Sequence, residues 1–262
     1  MTQTQLSFTL GRIEAALRGC GRSSPPASRG VPPSRTAAVY ALFSERGGGP
    51  SVTIIRRSDS VSQHRGEYAF PGGGAEPHDS DLHATALREV TEELGVDPRD
   101  VEPWGRLDNQ MTVTSGYLVV PFTGRLAEGA RLNRAPAEVA EIVQVPVSSL
   151  ADAANSRTIS RLVAAESSRM AARAPGDGQG GSYELKTYDA YAYNGRIIWG
   201  ATARILAQVI SVLNAAQPRQ PPSAHPARLI ESSGLSPRGR YGDDGDEKSR
   251  AEEIRDHPRI QS

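Results

Sequence analysis

An acidic helix preceded by a run of glycines is the feature that most constrains the fold of this chain. Within residues 70–96, FPGGGAEPHDSDLHATALREVTEELGV, the residues Glu89, Glu92 and Glu93 stand at positions i, i+3 and i+4. With 3.6 residues per turn, the three carboxylates share an arc of roughly 100° on one helix face. Like charges so placed destabilise a helix by roughly 0.2–0.5 kcal/mol per pair, so this face either points into water or holds a cation.

The neighbouring residues predict how this helix begins, packs and ends. A second, apolar stripe can pack on a core while the acidic face stays available; its members are Leu87, Val90 and Leu94. Arg88 precedes Glu92 by four residues, which is within reach of an ion pair. Asp79 or Ser80 can cap the start of the helix, and Gly95 is expected to end it.

A tight glycine turn is expected at residues 72–74, directly before the helix. A solvated surface is the ordinary interpretation of an acidic helix face, but this cluster contains no lysine and follows the glycines at a fixed offset. Carboxylate oxygens that leave room for water and phosphate are the ligands that Mg²⁺ or Mn²⁺ prefers. The residues therefore favour a divalent-metal site for phosphate chemistry and leave the substrate open.

The segment REVTEELGV, residues 88–96, resembles the second half of the Nudix box, REUxEExGU, in which U is a bulky aliphatic residue. The first half of the box is a glycine followed by five residues and an acid, which Gly73 and Asp79 satisfy. Eight residues then precede Arg88 where the general box has seven, and an Asp stands where it has Glu. The chain is identified by these residues as resembling the Nudix hydrolase superfamily.

The altered spacing resembles the coenzyme A pyrophosphatase branch of that superfamily. The upstream signature of the branch ends in G-x-x-x-F-P-G-G, and residues 66–73 read GEYAFPGG. Arg57 and Ser58 fit the Arg-Ser of the signature, whereas Ser62 stands where it has Arg. The segment SGYLVVPF, residues 115–122, is similar to the SGY-x-V-x-P-F segment of the branch.

The resemblance implies roles for individual residues. Glu92 and Glu93 are the first choice as metal ligands, and Glu89 either ligates the metal or acts as the general base that deprotonates water. Arginine suits bidentate phosphate recognition, although each arginine taken alone is equally well explained as a surface charge. The predicted catalytic residues are Glu89, Glu92, Glu93 and Arg88; the predicted metal ligands are Glu89, Glu92, Glu93 and the Gly73 carbonyl; the predicted substrate contacts are Arg57, Arg65, Gly72 and Gly73.

Other acidic and imidazole groups have plainer interpretations. Asp79 is expected to be structural rather than a metal ligand. Glu138 and Glu141 lie where many Nudix enzymes place a later catalytic or metal-binding Glu, but a solvated acidic turn is the favoured interpretation of each. His64 matches a His of the branch signature, and an ordinary turn histidine is the alternative.

Composition excludes several classes of function. Lys and Arg total 30 and Asp and Glu total 30, so the net charge of zero indicates no bulk preference for nucleic acid or anionic membranes. A single cysteine, Cys20, rules out an internal disulfide. No apolar run approaches the roughly 20 residues of a membrane span, and the N-terminal residues lack the pattern of a secretion signal. We therefore expect a cytoplasmic protein.

The hydrophobic pattern predicts three segments: an N-terminal helix and Pro/Ser-rich linker at 1–35, a hydrolase domain at 36–214, and a polar tail without regular structure at 215–262. Within the domain, strands are expected at 37–43, 51–57, 101–107, 115–126 and 142–145, followed by a helix start near Ser148, an inserted mobile loop at 166–181, a hairpin turning at Asn194–Gly195 and a final amphipathic helix. This order predicts an α+β fold with a mixed β-sheet between helices, the α/β/α sandwich that the Nudix resemblance implies.

The predicted function is divalent-metal-dependent hydrolysis of a diphosphate bond in a nucleoside diphosphate derivative. By resemblance, the substrate is coenzyme A or an acyl-coenzyme A, which gives 3′,5′-ADP and phosphopantetheine. ADP-ribose or another nucleotide sugar or dinucleotide is the alternative substrate, and a nucleotide-sensing module without catalysis is the alternative class. RNA 5′-end hydrolysis lacks support from the neutral charge. The expected partner is a small nucleotide, with no nucleic acid and no membrane; a homodimer stays open.

Overall fold

The computed structural model of the protein describes residues 8–18, 20, 35–46, 48–61, 64–112, 116–164 and 183–216. The Pro/Ser-rich linker, Ser62, Ser115, the loop predicted at 166–181 and the tail beyond residue 216 lie outside these ranges. No helix of the described residues is long and apolar enough to cross a membrane.

The described residues form four α-helices and eleven strands, which we number in chain order, and two short 3-10 helices at Pro98–Asp100 and Ala153–Asn155. The helices are α1 (Leu10–Arg18), α2 (Leu82–Leu94), α3 (Val147–Ala151) and α4 (Gly200–Ala215). The strands are β1 (Arg35–Arg46), β2 (Gly49–Arg57), β3 (Tyr68–Ala69), β4 (Gly72–Gly74), β5 (Val101–Arg106), β6 (Gln110–Met111), β7 (Tyr117–Leu126), β8 (Val139–Pro146), β9 (Ser156–Ala164), β10 (Tyr183–Tyr193) and β11 (Arg196–Trp199).

Eight of these strands form one mixed sheet. Its main path runs β3-β2-β1-β7-β5, with β4 paired to β1, β6 to β7 and β8 to β2. β1 and β7 are parallel, and the other pairs are antiparallel. A second sheet has the order β11-β10-β9. The predicted mixed sheet is therefore confirmed.

Helices cover both faces of the mixed sheet. Alternate residues of a strand point to opposite faces, and β1 shows this directly. Tyr40 and Leu42 belong to the buried cluster that contains Val90 and Leu94 of α2. Phe43 belongs to the opposite cluster, which contains residues of α1 and α4. The predicted α+β sandwich, with a first strand covered on both faces, is therefore confirmed.

Two predictions around the acidic helix need correction. The N-cap is Asp81, whose side chain accepts a hydrogen bond from the Ala84 N–H at 2.8 Å, so the assignment of the cap to Asp79 or Ser80 is wrong. Gly95 ends the helix in the left-handed conformation, as expected. Residues 72–74 form strand β4 rather than a turn, because their backbone pairs with Ala37–Val39 of β1.

The chain after the mixed sheet departs further from the sequence pattern. The helix expected near Ser148 is only five residues long, and a short 3-10 helix at Ala153–Asn155 follows it. Strand β9 comes next, and it was not predicted from the sequence pattern. The hairpin that turns at Asn194–Gly195 is confirmed, and both turn residues have positive φ, 46° and 75°. The final helix is also confirmed, at 200–215.

Candidate active site

Glu93 is a buried carboxylate held by backbone and by one arginine. Its side chain is 1% exposed, and one oxygen accepts the Gly72 N–H at 2.9 Å. Arg57 Nη1 lies 3.6 Å from the other oxygen. Burial raises the pKa of Glu93 to about 8, against the opposing effects of the Gly72 hydrogen bond and the Arg57 charge. The site therefore contains a carboxylate whose charge is only partly compensated.

Glu89 packs directly against the glycine strand. A Cβ placed on Gly73 would overlap a Glu89 carboxylate oxygen, so a larger residue there would force this side chain to move. The Glu89 side chain is 13% exposed, and burial is the main cause that raises its pKa. Gly72 is constrained more tightly, because its φ is +147° and a Cβ there would overlap the Ala38 backbone carbonyl. The close approach of β4 to β1 and α2 thus depends on these two glycines.

Arg88 connects the acidic groups of α2 to the loop before it. Its Nη1 donates to Glu89 Oε1 at 3.0 Å and to Glu92 Oε2 at 2.9 Å, so the ion pair expected from the four-residue spacing is present. Its Nη2 donates to the Gly74 carbonyl at 3.1 Å. Glu92 is 52% exposed and is the most accessible carboxylate of the three. Arg88 therefore orients Glu89 and Glu92 relative to the glycine strand.

Asp79, in the loop before α2, also binds Arg88. Its carboxylate accepts hydrogen bonds from Arg88 Nε at 3.0 Å, Thr85 Oγ1 at 2.8 Å and the Glu76 N–H at 2.9 Å. The Asp79 side chain is 5% exposed, and Arg88 is the main cause that holds its pKa well below the usual range. These contacts support the structural role that the sequence suggested for Asp79.

Glu138 and Glu141 have different surroundings. Glu138 is exposed, and its charge contributes to the raised pKa of both Glu89 and Glu93, so it faces the same region. Glu141 is bound by Arg196 and by the Tyr68 hydroxyl at 3.1 Å, and the Arg196 hydrogen bond lowers its pKa. Of these two acids, Glu138 is therefore the one that is available to act together with Glu89 and Glu93.

The donor set fits a hard divalent cation. Glu89 and Glu93 are carboxylates with raised pKa values, which a nearby cation would counteract. Across the described ranges, no group of three or more His, Cys, Asp or Glu side chains is placed to hold a metal ion, so a bound ion would use fewer protein carboxylates. Mg²⁺ is commonly bound through one or two carboxylates, with water and phosphate completing its shell, so an open site of this kind suffices.

A pocket of about 180 Å³ adjoins the carboxylates. Gly72 and Arg57, which contact Glu93, also line this pocket. The remaining wall is mostly aromatic and aliphatic and comes from β1, β3, β7, β10, β11 and α4; it includes Val39, Tyr68, Phe70, Val119, Tyr188, Trp199, Arg204 and Ile205. The arrangement can hold a diphosphate at the carboxylate end and an apolar or aromatic group beside it.

Sequence reasoning missed Tyr188, Trp199 and Arg204, because the hairpin and α4 reach the pocket only through tertiary packing. Arg65, a predicted substrate contact, is exposed and donates to the Val61 carbonyl at 2.7 Å, and it does not line the pocket. Its role stays a prediction without a supporting contact. His64 does line the pocket, with Nδ1 at 2.9 Å from Glu67 Oε2.

Comparisons with known proteins identify relatives of this chain. The NUDIX domain family matches residues 32–164. An uncharacterized Nudix hydrolase, NudL, of Photorhabdus laumondii is 36% identical over 160 residues, which are 61% of this chain and 75% of that protein. Nudix hydrolase 3 of Caenorhabditis elegans is 30% identical over 174 residues, 64% of this chain and 68% of that protein. The solved Ap4A hydrolase of C. elegans is 15% identical, with a TM-score of 0.37 over 42% of this chain and 80% of that one.

Proposed function

Because the chain belongs to the Nudix family of hydrolases, we propose that it cleaves the diphosphate bond of coenzyme A or an acyl-coenzyme A. The products would be 3′,5′-ADP and phosphopantetheine or its acyl derivative. One observation carries this proposal. Residues 66–73, which resemble the coenzyme A pyrophosphatase signature, supply the wall shared by the pocket and the carboxylates, with Glu67, Tyr68, Ala69, Phe70 and Gly72 among the lining residues.

The proposed metal ligands are Glu92, Glu93 and the Gly73 carbonyl, for Mg²⁺ or Mn²⁺. When bound, the ion would neutralise charge on the phosphate oxygens and lower the pKa of water. Arg88 positions Glu92 by its 2.9 Å hydrogen bond. The Gly72 N–H positions Glu93 by its 2.9 Å hydrogen bond. The side chains are therefore held in place before substrate arrives, which lowers the cost of organising the site.

Glu89 is the proposed general base, with metal ligation as its alternative role. Its partly buried carboxylate takes a proton from the attacking water, whose oxygen forms the new P–O bond while the bridging P–O bond breaks. General-base assistance of this kind typically contributes about 10²- to 10⁴-fold in rate. Arg88 fixes the Glu89 carboxylate at 3.0 Å, so the base is oriented by the same guanidinium that holds Glu92.

Arg57 is the proposed phosphate contact. Its side chain lines the pocket, and its Nε is buried without a hydrogen-bond partner among the described residues. A buried N–H without a partner is costly, and a phosphate oxygen would satisfy it. Gly72 and Gly73 bring the backbone close to the carboxylates of Glu93 and Glu89, respectively. Arg57 therefore supports a diphosphate placed beside Glu93.

ADP-ribose or another dinucleotide or nucleotide sugar is the second candidate substrate. A sensor without catalysis is less well supported, because Glu89, Glu92 and Glu93 are all retained. We also propose that the protein binds a small nucleotide rather than nucleic acid or a membrane, and that it is cytoplasmic. A monomer and a homodimer are both compatible with this proposal.

The test is a hydrolysis assay of the purified full chain in Mg²⁺ and in Mn²⁺, with product identification by mass spectrometry. The panel contains coenzyme A, 3′-dephospho-coenzyme A and ADP-ribose. We expect the highest kcat/KM for coenzyme A, with 3′,5′-ADP as a product and no turnover in excess EDTA. Efficient cleavage of ADP-ribose with little cleavage of coenzyme A would contradict the proposed substrate.

A further inference from the structure

We propose that the pocket contains an anion subsite, formed by Arg204 and Tyr188 beside the first turn of α4, that binds a phosphate group additional to the diphosphate that is cleaved. The inference deepens the proposed function and rests on it for the identity of the substrate. The subsite itself consists of described residues of β10 and α4.

Arg204 is a partly buried cation without a carboxylate partner among the described residues. Its Nε donates to Gln110 Oε1 at 3.0 Å and its Nη2 to the Met111 carbonyl at 2.6 Å, both of which are neutral acceptors. Burial lowers the pKa of Arg204, because the charged guanidinium is less well solvated there than in water. An anion in the pocket would remove this cost and accept a charge-assisted hydrogen bond.

Tyr188 supplies a second unsatisfied group in the same pocket. Its hydroxyl is buried and has no hydrogen-bond partner among the described residues. The ring packs edge-on against Trp199, with centroids 5.4 Å apart, which fixes its orientation. The phenol also lies close enough to Arg204 to affect its titration. A ligand oxygen that accepts from both groups would satisfy them together.

The first turn of α4 adds a third source of donors. Gly200, Ala201 and Thr202 line the pocket at the start of this 16-residue helix. The N–H groups of a first helical turn have no intrahelical acceptor, and the N-cap residue Trp199 provides no side-chain hydrogen bond to them. The helix dipole favours negative charge at this end. The helix start thus reinforces a site that the guanidinium and the phenol already define.

The lining contains two further charged groups, the carboxylate of Glu67 and the guanidinium of Arg57. Glu67, the acid of the lining, is engaged by His64 at 2.9 Å. Arg57, at the wall shared with the carboxylate cluster, lies 3.6 Å from Glu93. The pocket therefore presents one cation beside the carboxylate cluster and a second cation at α4, with Phe70, Val119 and Ile205 in the apolar lining.

This layout selects a chemical class of ligand. The ligand would carry a diphosphate near Arg57, an apolar or aromatic group in the pocket, and a separate phosphate at Arg204. Coenzyme A has such a phosphate on its ribose, whereas 3′-dephospho-coenzyme A and ADP-ribose lack it. Arg204 and Tyr188 are therefore specificity-determining residues for phosphorylated nucleotides.

The first test compares steady-state kinetics of wild type, Arg204→Gln and Tyr188→Phe with coenzyme A and 3′-dephospho-coenzyme A. Arg204→Gln should raise the KM for coenzyme A by about 10- to 100-fold, the value of a charged hydrogen bond, and Tyr188→Phe by about 3- to 10-fold. The change with 3′-dephospho-coenzyme A should be much smaller for both. The matched control is Arg99→Gln, at an exposed arginine paired with Asp97. It should leave the KM for both substrates unchanged. Equal losses with the two substrates would overturn the subsite.

The second test needs no turnover. Calorimetry with adenosine 3′,5′-bisphosphate and with 5′-AMP should show tighter binding of the bisphosphate to wild type and loss of that preference in Arg204→Gln and Tyr188→Phe. If wild type fails to cleave coenzyme A but keeps this preference, the substrate proposal fails and the subsite stands. Should Arg204→Gln not fold, Tyr188→Phe decides. Equal affinity of wild type for the two nucleotides, or a preference that survives substitution, would refute the subsite.

Discussion

The backbone N–H of Gly72 donates a 2.9 Å hydrogen bond to the buried carboxylate of Glu93. This bond joins strand β4 to helix α2 across 21 positions of sequence. Because Gly72 also lines the pocket, the same short strand positions a carboxylate on one side and a ligand wall on the other. The geometry of β4 is therefore expected to control activity directly.

Substitution of Gly73 by alanine should displace Glu89. The new Cβ would overlap the Glu89 carboxylate, so the side chain or the strand must move. A misplacement of about 1 Å in an active site can cost about 10²-fold in rate, and we expect a loss of this order in kcat/KM.

Gly74→Ala is the matched control in the same strand, because a Cβ at Gly74 meets no atom within 4 Å. It should retain activity and melting temperature. If Gly73→Ala were as active as Gly74→Ala in the hydrolysis assay, the contact between Gly73 and Glu89 would not matter for catalysis.

Removal of the N-cap at Asp81 should destabilise the protein. Asp81→Ala loses the hydrogen bond to the Ala84 N–H and should lower the free energy of unfolding by about 0.5–2 kcal/mol. Asp81→Asn keeps an N-cap acceptor and should be close to wild type. Ser80→Ala should also be close to wild type in chemical denaturation. If Ser80→Ala lowered the free energy of unfolding more than Asp81→Ala, the N-cap would be Ser80, as suggested by the sequence, and not Asp81.

The Asp79–Arg88 contact predicts a specific dependence of stability on pH. Arg88 depresses the pKa of Asp79 in the folded state, so the stabilisation is present above the unfolded pKa of about 3.9 and is lost as pH falls toward the lower folded value. Wild type should therefore melt above Asp79→Asn at neutral pH, and the gap should shrink at about pH 3. Thermal melts across pH measure this, and a gap that widened in acid would contradict the ion pair.

Glu138 and Glu141 should respond differently to neutralisation. Glu138→Gln removes a charge near Glu89 and Glu93, and we expect the Mg²⁺ concentration for half-maximal activity to rise about two- to fivefold, the value of an exposed charge interaction. Glu141→Gln breaks the pair with Arg196 and should lower the melting temperature without changing the Mg²⁺ requirement. An equal shift in Mg²⁺ requirement for both variants would contradict the different roles assigned to Glu138 and Glu141.

Local sequence spacing predicted the parts of the site that lie within one helix. The face shared by Glu89, Glu92 and Glu93 and the pair between Arg88 and Glu92 follow from the 3.6-residue period, and the ion pair is confirmed. The choice of Asp81 as N-cap was missed because three adjacent polar residues offer equivalent caps until the loop geometry selects one.

Non-local packing explains the other differences. Three successive glycines indicate a turn by composition, yet residues 72–74 pair with residues 37–39 of β1, which lie more than 30 positions earlier in the chain. Tyr188 and Arg204 reach the pocket through the β10–β11 hairpin and α4, about 100 residues after the acidic helix. No short-range pattern connects these segments, so local sequence patterns could not predict that Tyr188 and Arg204 line one pocket.

The most direct test of the central claim is the effect of Glu93→Gln on hydrolysis and on Mn²⁺ binding. Glutamine can still accept the Gly72 N–H, so the variant should fold. With the best substrate of the panel in Mg²⁺, we expect turnover to fall by about 100-fold or more, with weaker Mn²⁺ binding by electron paramagnetic resonance. Wild-type turnover by folded Glu93→Gln, together with unchanged Mn²⁺ affinity, would contradict the assignment of this carboxylate to a metal-dependent hydrolytic centre.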